Sequence, residues 1–284
     1  MDRYLAITPA RDEERFLPGL IRSMAQQVPL PQRWIIIDDG SADHTAQILD
    51  AAARQYHWIK PVHLARNRPR EAGGESVIMQ FLPRQIWRDV DFIFRLDADL
   101  SFEPGFVDLA MREFAADPRL GIAGATLYEP SNGGWREVRG THSFHTRGAT
   151  KIYSTKCFAM IQPLENCAGW DTIDEMRALM KGFKTQSFRH IRACHHRPQG
   201  AATSAWRAYF GKGQTAHYIG YSPLFLLARA ARIGITKPFS GMCMTAGYFE
   251  SRLRRRPSVD DAELVNFVRQ QQIRRLLMLD SVWR

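Results

Sequence analysis

The sequence is poor in cysteine: Cys157, Cys167, Cys194 and Cys243 are the four among 284 residues, and no two form a CxxC pair. That spacing supports neither a disulfide scaffold nor a zinc ribbon, and it fits a reduced cytosolic compartment. No apolar run approaches the roughly 18 residues of a membrane-spanning helix. Charged residues arrive by Arg11-Asp12-Glu13-Glu14, which argues against a cleavable signal peptide at the start. There is no GxGxxG, so a dinucleotide-type phosphate loop is not supported. Acidic residues are missing altogether between Glu175 and Glu250, a stretch that holds eleven Lys and Arg.

What is present is ordinary globular composition, 45% hydrophobic and 24% charged, long enough for one large domain or a domain with an appendage. The net charge of +10 is unevenly placed. Residues 1–150 carry 18 basic and 20 acidic side chains, a net of −2, while residues 151–284 carry 21 and 9, a net of +12. A field of that kind favours a polyanion, a phosphate-bearing substrate or an anionic membrane surface.

The first 130 residues alternate short apolar runs with amphipathic stretches, the pattern of βα units and a parallel sheet. Strands are expected over 4–8, 34–38, 62–64, 92–96 and 122–127, with helices over 13–27, 45–56, 76–87 and 104–116. Residues 129–148 read as loop with a hairpin, 169–181 as a loop entering a helix, and 185–187 and 191–194 as short strands. From Trp206 the pattern is helical and basic. Polar residues follow each early strand: Arg11-Asp12-Glu13, Asp38-Asp39, Arg66-Asn67 and Asp97-Asp99. In an open α/β sheet such strand ends share one edge, so these groups are expected to meet in one crevice.

Asp97-Ala98-Asp99 follows the apolar strand FIFRL. Two carboxylates at i and i+2 suit Mg²⁺ or Mn²⁺, although a solvated strand end has the same appearance. Trp34-Ile-Ile-Ile-Asp38-Asp39-Gly40-Ser41 ends in an acid able to accept from a base imide or a ribose hydroxyl. Ser41, Asp43 and Thr45 also suit helix capping. Gly169-Trp170-Asp171-Thr172-Ile173-Asp174-Glu175 leads into a helix, where Asp171 could be an N-cap with Asp174 as its box partner.

ITPARDEERFLPGLIRSM, IIIDDGSADHTAQIL and FRLDADLSFEPGF, in this order and spacing, resemble the successive motifs of family 2 inverting glycosyltransferases of GT-A fold, of the bacterial surface-polysaccharide type. CAGWDTIDEMRALMKGFKT and CHHRPQG extend the resemblance over about the first 200 residues. It implies that Pro9, Asp12 or Glu13, and Asp39 surround the nucleotide. Asp97 would lie near ribose and metal, with Asp99 the direct metal ligand. Ala10-Arg11-Asp12 stands where the family often has an aromatic and Asn before Glu. Arg66-Asn67-Arg68-Pro69-Arg70-Glu71-Ala72-Gly73-Gly74 resembles the family's Asn-Gly-rich turn, with extra arginines that could meet donor phosphates or lie in a solvated loop. The family's Arg six and Gly eleven residues after its catalytic Asp match Arg177 and Gly182, which implies Asp171 as the base, with Asp174 and Glu175 in reserve. Trp170 replaces the usual Glu. His195 stands where the family often has a His near the metal or diphosphate.

The expected architecture is therefore an α/β, GT-A Rossmann-like, mostly parallel sheet flanked by helices over 1–200, with nucleotide-sugar binding in 1–130 and acceptor and catalytic parts in 131–200. A basic helical appendage covers 201–284. Tyr221-Ser-Pro-Leu-Phe-Leu-Leu-Ala-Arg229-Ala-Ala-Arg232 could lie in a membrane interface or pack on the domain. The expected activity is metal-dependent transfer of one sugar per encounter from a nucleoside-diphosphate donor, UDP-linked by family habit. The acceptor would be a lipid-linked or polysaccharide precursor at the cytoplasmic membrane face, and Mn²⁺ or Mg²⁺ the cofactor. Two alternatives stay open. A sugar-phosphate nucleotidyltransferase would normally show glycines after the first strand, where Thr8-Pro9-Ala10-Arg11 has none. A polyanion-binding protein would lack any recognisable nucleic-acid module, so no specific nucleic acid is expected.

Overall fold

The computed structural model describes residues 2–65, 82, 84–138, 142, 144–165, 167, 169–197 and 204–283. The chain divides into two compact units, Met1–Pro198 and Gln199–Arg284.

The first unit runs β1 (Tyr4–Ala10), α1 (Leu17–Ala25), β2 (Arg33–Asp38), α2 (Thr45–Gln55), β3 (Ile59–His63), α3 (Arg84–Trp87), β4 (Phe92–Leu96) and β5 (Leu100–Ser101). It continues through α4 (Phe106–Ala116), β6 (Leu120–Ser131), β7 (Gly134–Glu137), β8 (Thr150–Ser154), α5 (Thr155–Met160), α6 (Trp170–Met180) and β9 (Lys184–His195). One sheet takes the order β3-β2-β1-β4-β8-β6-β9-β5, with β7 paired to β6. The runs YLAI, WIII and FIF are apolar at consecutive positions because both faces of these strands are covered. Tyr4, Ala6, Trp34, Ile36 and Phe94 enter one core, and Leu5, Ile7, Ile35, Ile37 and Ile93 the other.

The pairings from β3 to β4 are parallel, as the βα alternation predicts. Beyond β4 the sheet is mixed: β8 is antiparallel to both β4 and β6, β6 is parallel to β9, and β5 and β7 pair antiparallel. TKIYS (β8) was not expected as a strand because Lys151 interrupts its apolar run. Where two short strands were expected over 185–194 there is one long β9, with a register irregularity opposite Ala125 and Thr126. The early expected helix starts later, at Leu17, because residues 11–16 form the turn at the end of β1.

The second unit is helical: α7 (Ala205–Tyr218), α8 (Pro223–Thr236), α9 (Pro238–Leu253) and α10 (Ala262–Leu276). Pro223 and Pro238 stand in the first turns of their helices, where a missing N–H costs nothing. Asp261 caps α10 by accepting from the Leu264 N–H at 2.9 Å. α7 and α9 cross in backbone contact. A Cβ added at Gly213 or Gly247 would stand 2.0 Å from the carbonyl oxygen of Met244 or Phe210, so both positions demand glycine. Tyr221, Phe225, Leu226, Met244 and Tyr248 are buried, whereas Leu224, Leu227, Ile235, Phe239 and Met242 are exposed. Among the described residues no helix is long and apolar enough to cross a membrane.

Candidate active site

The ends of β1, β2 and β4 carry the acids singled out in the sequence. After β1 the chain turns at Asp12, whose φ of 57° lies in the left-handed region that Asp tolerates. This turn is braced by the loop after β2. The Asp12 N–H donates to Ser41 Oγ at 2.9 Å, the Ala42 N–H to Asp12 Oδ1 at 2.8 Å, and the Glu13 N–H to Thr45 Oγ1 at 2.8 Å. Ser41 and Thr45 therefore cross-link two strand ends. At the start of α2 the cap residue His44 makes no side-chain capping bond, and Asp43 before it accepts from the Thr45 N–H at 2.9 Å. Asp38 faces inward to the Ser41 N–H and His63.

Of the pair Asp12 and Glu13, Asp12 is exposed and spent on the neighbouring loop. Glu13 is buried and meets Arg197 at 2.5 Å. Burial pushes the Glu13 carboxyl up to about 7, against the pull of Arg197 and with Asp99 and Asp97 adding to the rise. Asp39 lies 3.5 Å from Arg11, and its buried Oδ1 has no hydrogen-bond partner. Pro9 is half-buried on β1, opposite Ile37 of β2. Arg66 and Asn67 lie outside the described residues.

Asp97, Asp99 and His195 come together so that one ligand atom from each lies within 4.8 Å of the others. β5 is antiparallel to β9 with Leu100 opposite His195, which sets His195 Nε2 3.2 Å from Asp99 Oδ1. Its Nδ1, 3.7 Å from Glu129, is buried without a hydrogen-bond partner. Burial works against the His195 charge, but the Asp99 hydrogen bond and the surrounding carboxylates outweigh it and raise the value. Arg95 holds Asp97 at 2.5 Å, and Arg197 Nε lies 3.7 Å from Asp99. The neighbouring His196 points elsewhere, to Ser101 Oγ at 2.8 Å. Two carboxylates and an imidazole are a donor set that fits Mn²⁺ or Mg²⁺, the imidazole favouring Mn²⁺.

α6 begins after Gly169, whose φ is 91°, so Asp171 lies in the first turn and makes no capping bond. The capping-box pairing with Asp174 is thus absent. Asp171 remains partly exposed, 28% at its side chain, with His145 Nε2 3.9 Å away. Asp174 and Glu175 are buried and occupied. Asp174 accepts from Lys151 and, at 2.5 Å, from the Tyr153 hydroxyl. Glu175 accepts from the Thr146 N–H at 2.6 Å, the Thr146 hydroxyl at 2.7 Å and His145 Nδ1 at 2.8 Å. Lys151, itself fully buried, keeps its charge because Asp174 and Glu175 outweigh the desolvation that lowers it. Trp170, where the family usually has Glu, lies between the Lys151 ammonium at 5.1 Å and the Arg95 guanidinium at 5.2 Å, linking the Asp97 cluster to the start of α6.

Sequence reasoning missed Lys151, His145 and Arg95. A lysine inside a strand-like run is a recoverable signal for a buried ion pair. His145, in a loop, carries none.

A partly parallel α/β sheet with paired strand-end carboxylates and a downstream helix bearing an acid defines a glycosyltransferase domain of GT-A fold. The chain belongs to glycosyl transferase family 2, whose model matches residues 5–181. It is 36% identical over 102 residues to an undecaprenyl-phosphate 4-deoxy-4-formamido-L-arabinose transferase of Pectobacterium carotovorum subsp. carotovorum, a match covering 34% of this chain and 29% of that protein. The matched region is therefore under a third of that relative's length. Among solved structures, S. aureus TarS 1-349 in complex with UDP-GlcNAc aligns with a TM-score of 0.56 at 17% identity, over 75% of this chain and 65% of that one. The mannosyltransferase PcManGT from Pyrobaculum calidifontis, in complex with GDP-Man and Mn²⁺, aligns with a TM-score of 0.56 at 12% identity, over 98% of this chain and 76% of that one.

Proposed function

We propose that the protein transfers one sugar per encounter, with inversion, from a nucleoside-diphosphate donor, UDP-linked, to a hydroxyl of a lipid-linked or polysaccharide-precursor acceptor. The observation that carries this is the convergence of Asp97, Asp99 and His195 at the strand ends of a family 2 domain. Asp39, with an unpartnered buried oxygen, accepts from the donor base or ribose, and Glu13, paired with Arg197, lines the same nucleotide surround. Pro9, Asp12 and Asp97 complete the nucleotide surround, and Arg66 and Asn67 meet the diphosphate. Asp99, Asp97 and His195 would hold Mn²⁺ or Mg²⁺, which supplies charge neutralisation for the leaving diphosphate. Asp171 is the base. Of the three acids on α6 it alone has neither oxygen saturated by buried partners, so an incoming hydroxyl can reach it. It takes the proton as that oxygen attacks the anomeric carbon in line with the departing diphosphate.

The acceptor reading is supported by the lipid-linked substrate in the name of the Pectobacterium relative and by the second unit. Leu224, Leu227 and Ile235 face outward on α8, Phe239 and Met242 follow on α9, and Arg229, Arg232 and Lys237 are exposed among them. Such a surface suits an anionic interface with its arginines at lipid phosphates, which supports the reading of a peripheral enzyme at the cytoplasmic membrane face.

Donor nucleotides are separated by thermal shift with UDP, GDP, CDP and dTDP, with and without Mn²⁺. UDP with Mn²⁺ is expected to give the largest rise. In a transfer assay Asp171→Asn is expected to lose on the order of 10²–10⁴ in kcat. Full transfer by this variant or by Asp99→Asn would falsify the assignments. Diphosphate release from a nucleoside triphosphate and a sugar phosphate would instead establish the nucleotidyltransferase. Co-sedimentation with liposomes tests the interface, and no preference for anionic lipid rejects it.

A further inference from the structure

A cavity of about 590 Å³ is lined by residues on and just after β5 and by residues of β6, β7, β9 and α1. Strand pleating fixes which strand residues face it. Cys194 of β9 pairs with Ser101 of β5 and with Tyr128 of β6, and Trp135 of β7 pairs with Pro130, two residues beyond Tyr128. Ser101, Tyr128, Trp135, Arg192, Cys194 and His196 therefore share one face, and all line the cavity. The alternate residues Glu129 and His195 take the other face, where His195 meets Asp99. Helix α1 supplies the remaining wall through Arg22 and Ser23.

The lining has the chemistry of a saccharide site. Trp135 is 46% exposed, and its ring meets His196 edge-on, with centroids 5.1 Å apart at 90°. A half-exposed indole on a hairpin is a ready platform for the C–H face of a pyranose. Arg192 lies 5.8 Å above the Tyr128 ring, and neither Arg192 nor Arg22 has a carboxylate within ion-pair distance among the described residues. Glu103 is the one acid of the lining, so two guanidinium groups face one carboxylate. Guanidinium forks match carboxylate and phosphate oxygens two at a time. A concave space of this size, with an aromatic wall and a few polar groups, suits a small ligand better than a nucleic-acid strand, which needs an extended stripe.

We infer that this cavity binds an anionic glycoside, a pyranose bearing a carboxylate or a phosphate, stacked on Trp135 and held by Arg22 and Arg192. Its lining contains none of the described residues assigned to the donor or the metal, and the proposal does not depend on which sugar is transferred. Its floor is coupled to that crevice by the chain itself: His196 lines the cavity, stacks on Phe16 at 5.7 Å, and precedes Arg197, which pairs with Glu13.

The test is saturation-transfer NMR on the full chain held in saturating UDP and Mg²⁺, a diamagnetic ion that leaves the probe signals sharp. The probes are methyl β-D-glucuronide, glucose 1-phosphate, methyl β-D-glucopyranoside and inorganic phosphate. Both anionic glycosides are expected to receive transfer at their ring protons and to bind about tenfold more tightly than the neutral glycoside. Trp135→Ala, Arg22→Gln and Arg192→Gln replace exposed side chains, and each is expected to weaken the anionic glycosides about tenfold. Preference for only one anionic probe assigns the charge to carboxylate or to phosphate within the same proposal. Equal binding of the neutral glycoside, competition by inorganic phosphate at matched concentration, or retention of binding in Trp135→Ala overturns it. Binding is read without turnover, so absence of sugar transfer would count against the proposed function and leave this result intact.

Discussion

Two groups of carboxylates in the first unit have similar composition and opposite fates. Glu13, Asp97 and Asp99 stand at the sheet edge, and their cationic neighbours include Arg197, 42% exposed at its side chain. Asp39, at the neighbouring strand end, leaves a buried oxygen with nothing to accept from. Asp174 and Glu175 sit under α6 with Lys151, fully buried at its side chain, and their oxygens are taken by Lys151, Tyr153, His145 and Thr146. Burial alone does not separate a working acid from a structural one, since Asp99 is nearly as buried as Asp174. The satisfaction of the oxygens does. A saturated carboxylate belongs to the frame, whereas the unmatched oxygen of Asp39 marks the group of acids proposed to meet a ligand.

The comparison breaks most visibly at Lys151. Lys151→Met leaves buried Asp174 and Glu175 facing each other with only His145, beside Glu175, to offset their charge. A loss of about 3–5 kcal/mol is expected, the usual cost of removing one partner from a buried pair. Urea unfolding measures it. A loss under about 1 kcal/mol would mean that Asp174 takes up a proton and keeps its place. Burial already pushes that carboxyl up to about 6, with Lys151 opposing and Glu175 adding to the rise.

At the other cluster the same kind of change has a smaller and different effect. Asp99→Asn is expected to change the unfolding free energy of the metal-free protein by no more than about 1 kcal/mol, and in the stabilising direction if like charges are being held together there. Its signature is the loss of the rise in Tm that Mn²⁺ gives the unsubstituted chain. A variant that kept the full Mn²⁺ response would move Asp99 into the structural class.

These two classes were unequally visible in the sequence. Asp97 and Asp99 were legible because they follow FIFRL, and Asp39 because it follows WIIID. In both cases an apolar run ends abruptly in acid, and strand direction puts the ends on one edge. The parallel half of the sheet was legible for the same reason. β8 was not, because its lysine is neutralised by residues 23 and 24 positions away, a pairing no local pattern contains. The spacing from Asp171 to Arg177 and Gly182 named one acid of three. The reason for choosing it is spatial: Asp174 and Glu175 turn inward on α6 and Asp171 does not. The resemblance named His195 over its neighbour His196, and the pairing of β5 with β9 supplies the spatial reason by assigning the two to opposite faces.

The subtlest difference between the clusters lies at their meeting point, His145, between buried Glu175 at 2.8 Å and Asp171 at 3.9 Å. Burial lowers its proton affinity, but Glu175 first and then Asp171 outweigh that, against Lys151, so its folded value lies above the ordinary 6.5. A raised histidine contributes stability only while protonated. The contribution is complete below the unfolded value and disappears as pH rises through the folded one. His63 and His195 are raised as well, so the unsubstituted curve alone cannot assign the slope. The difference between the chain and His145→Asn can. Stability measured from about pH 5.5 to 8.5 should show the largest gap at the acid end, closing as pH rises. A gap that stayed constant with pH would make His145 a neutral hydrogen-bond donor to Glu175. Asp171 would then lack a neighbouring positive charge from His145, and the frame would touch the proposed base through geometry alone.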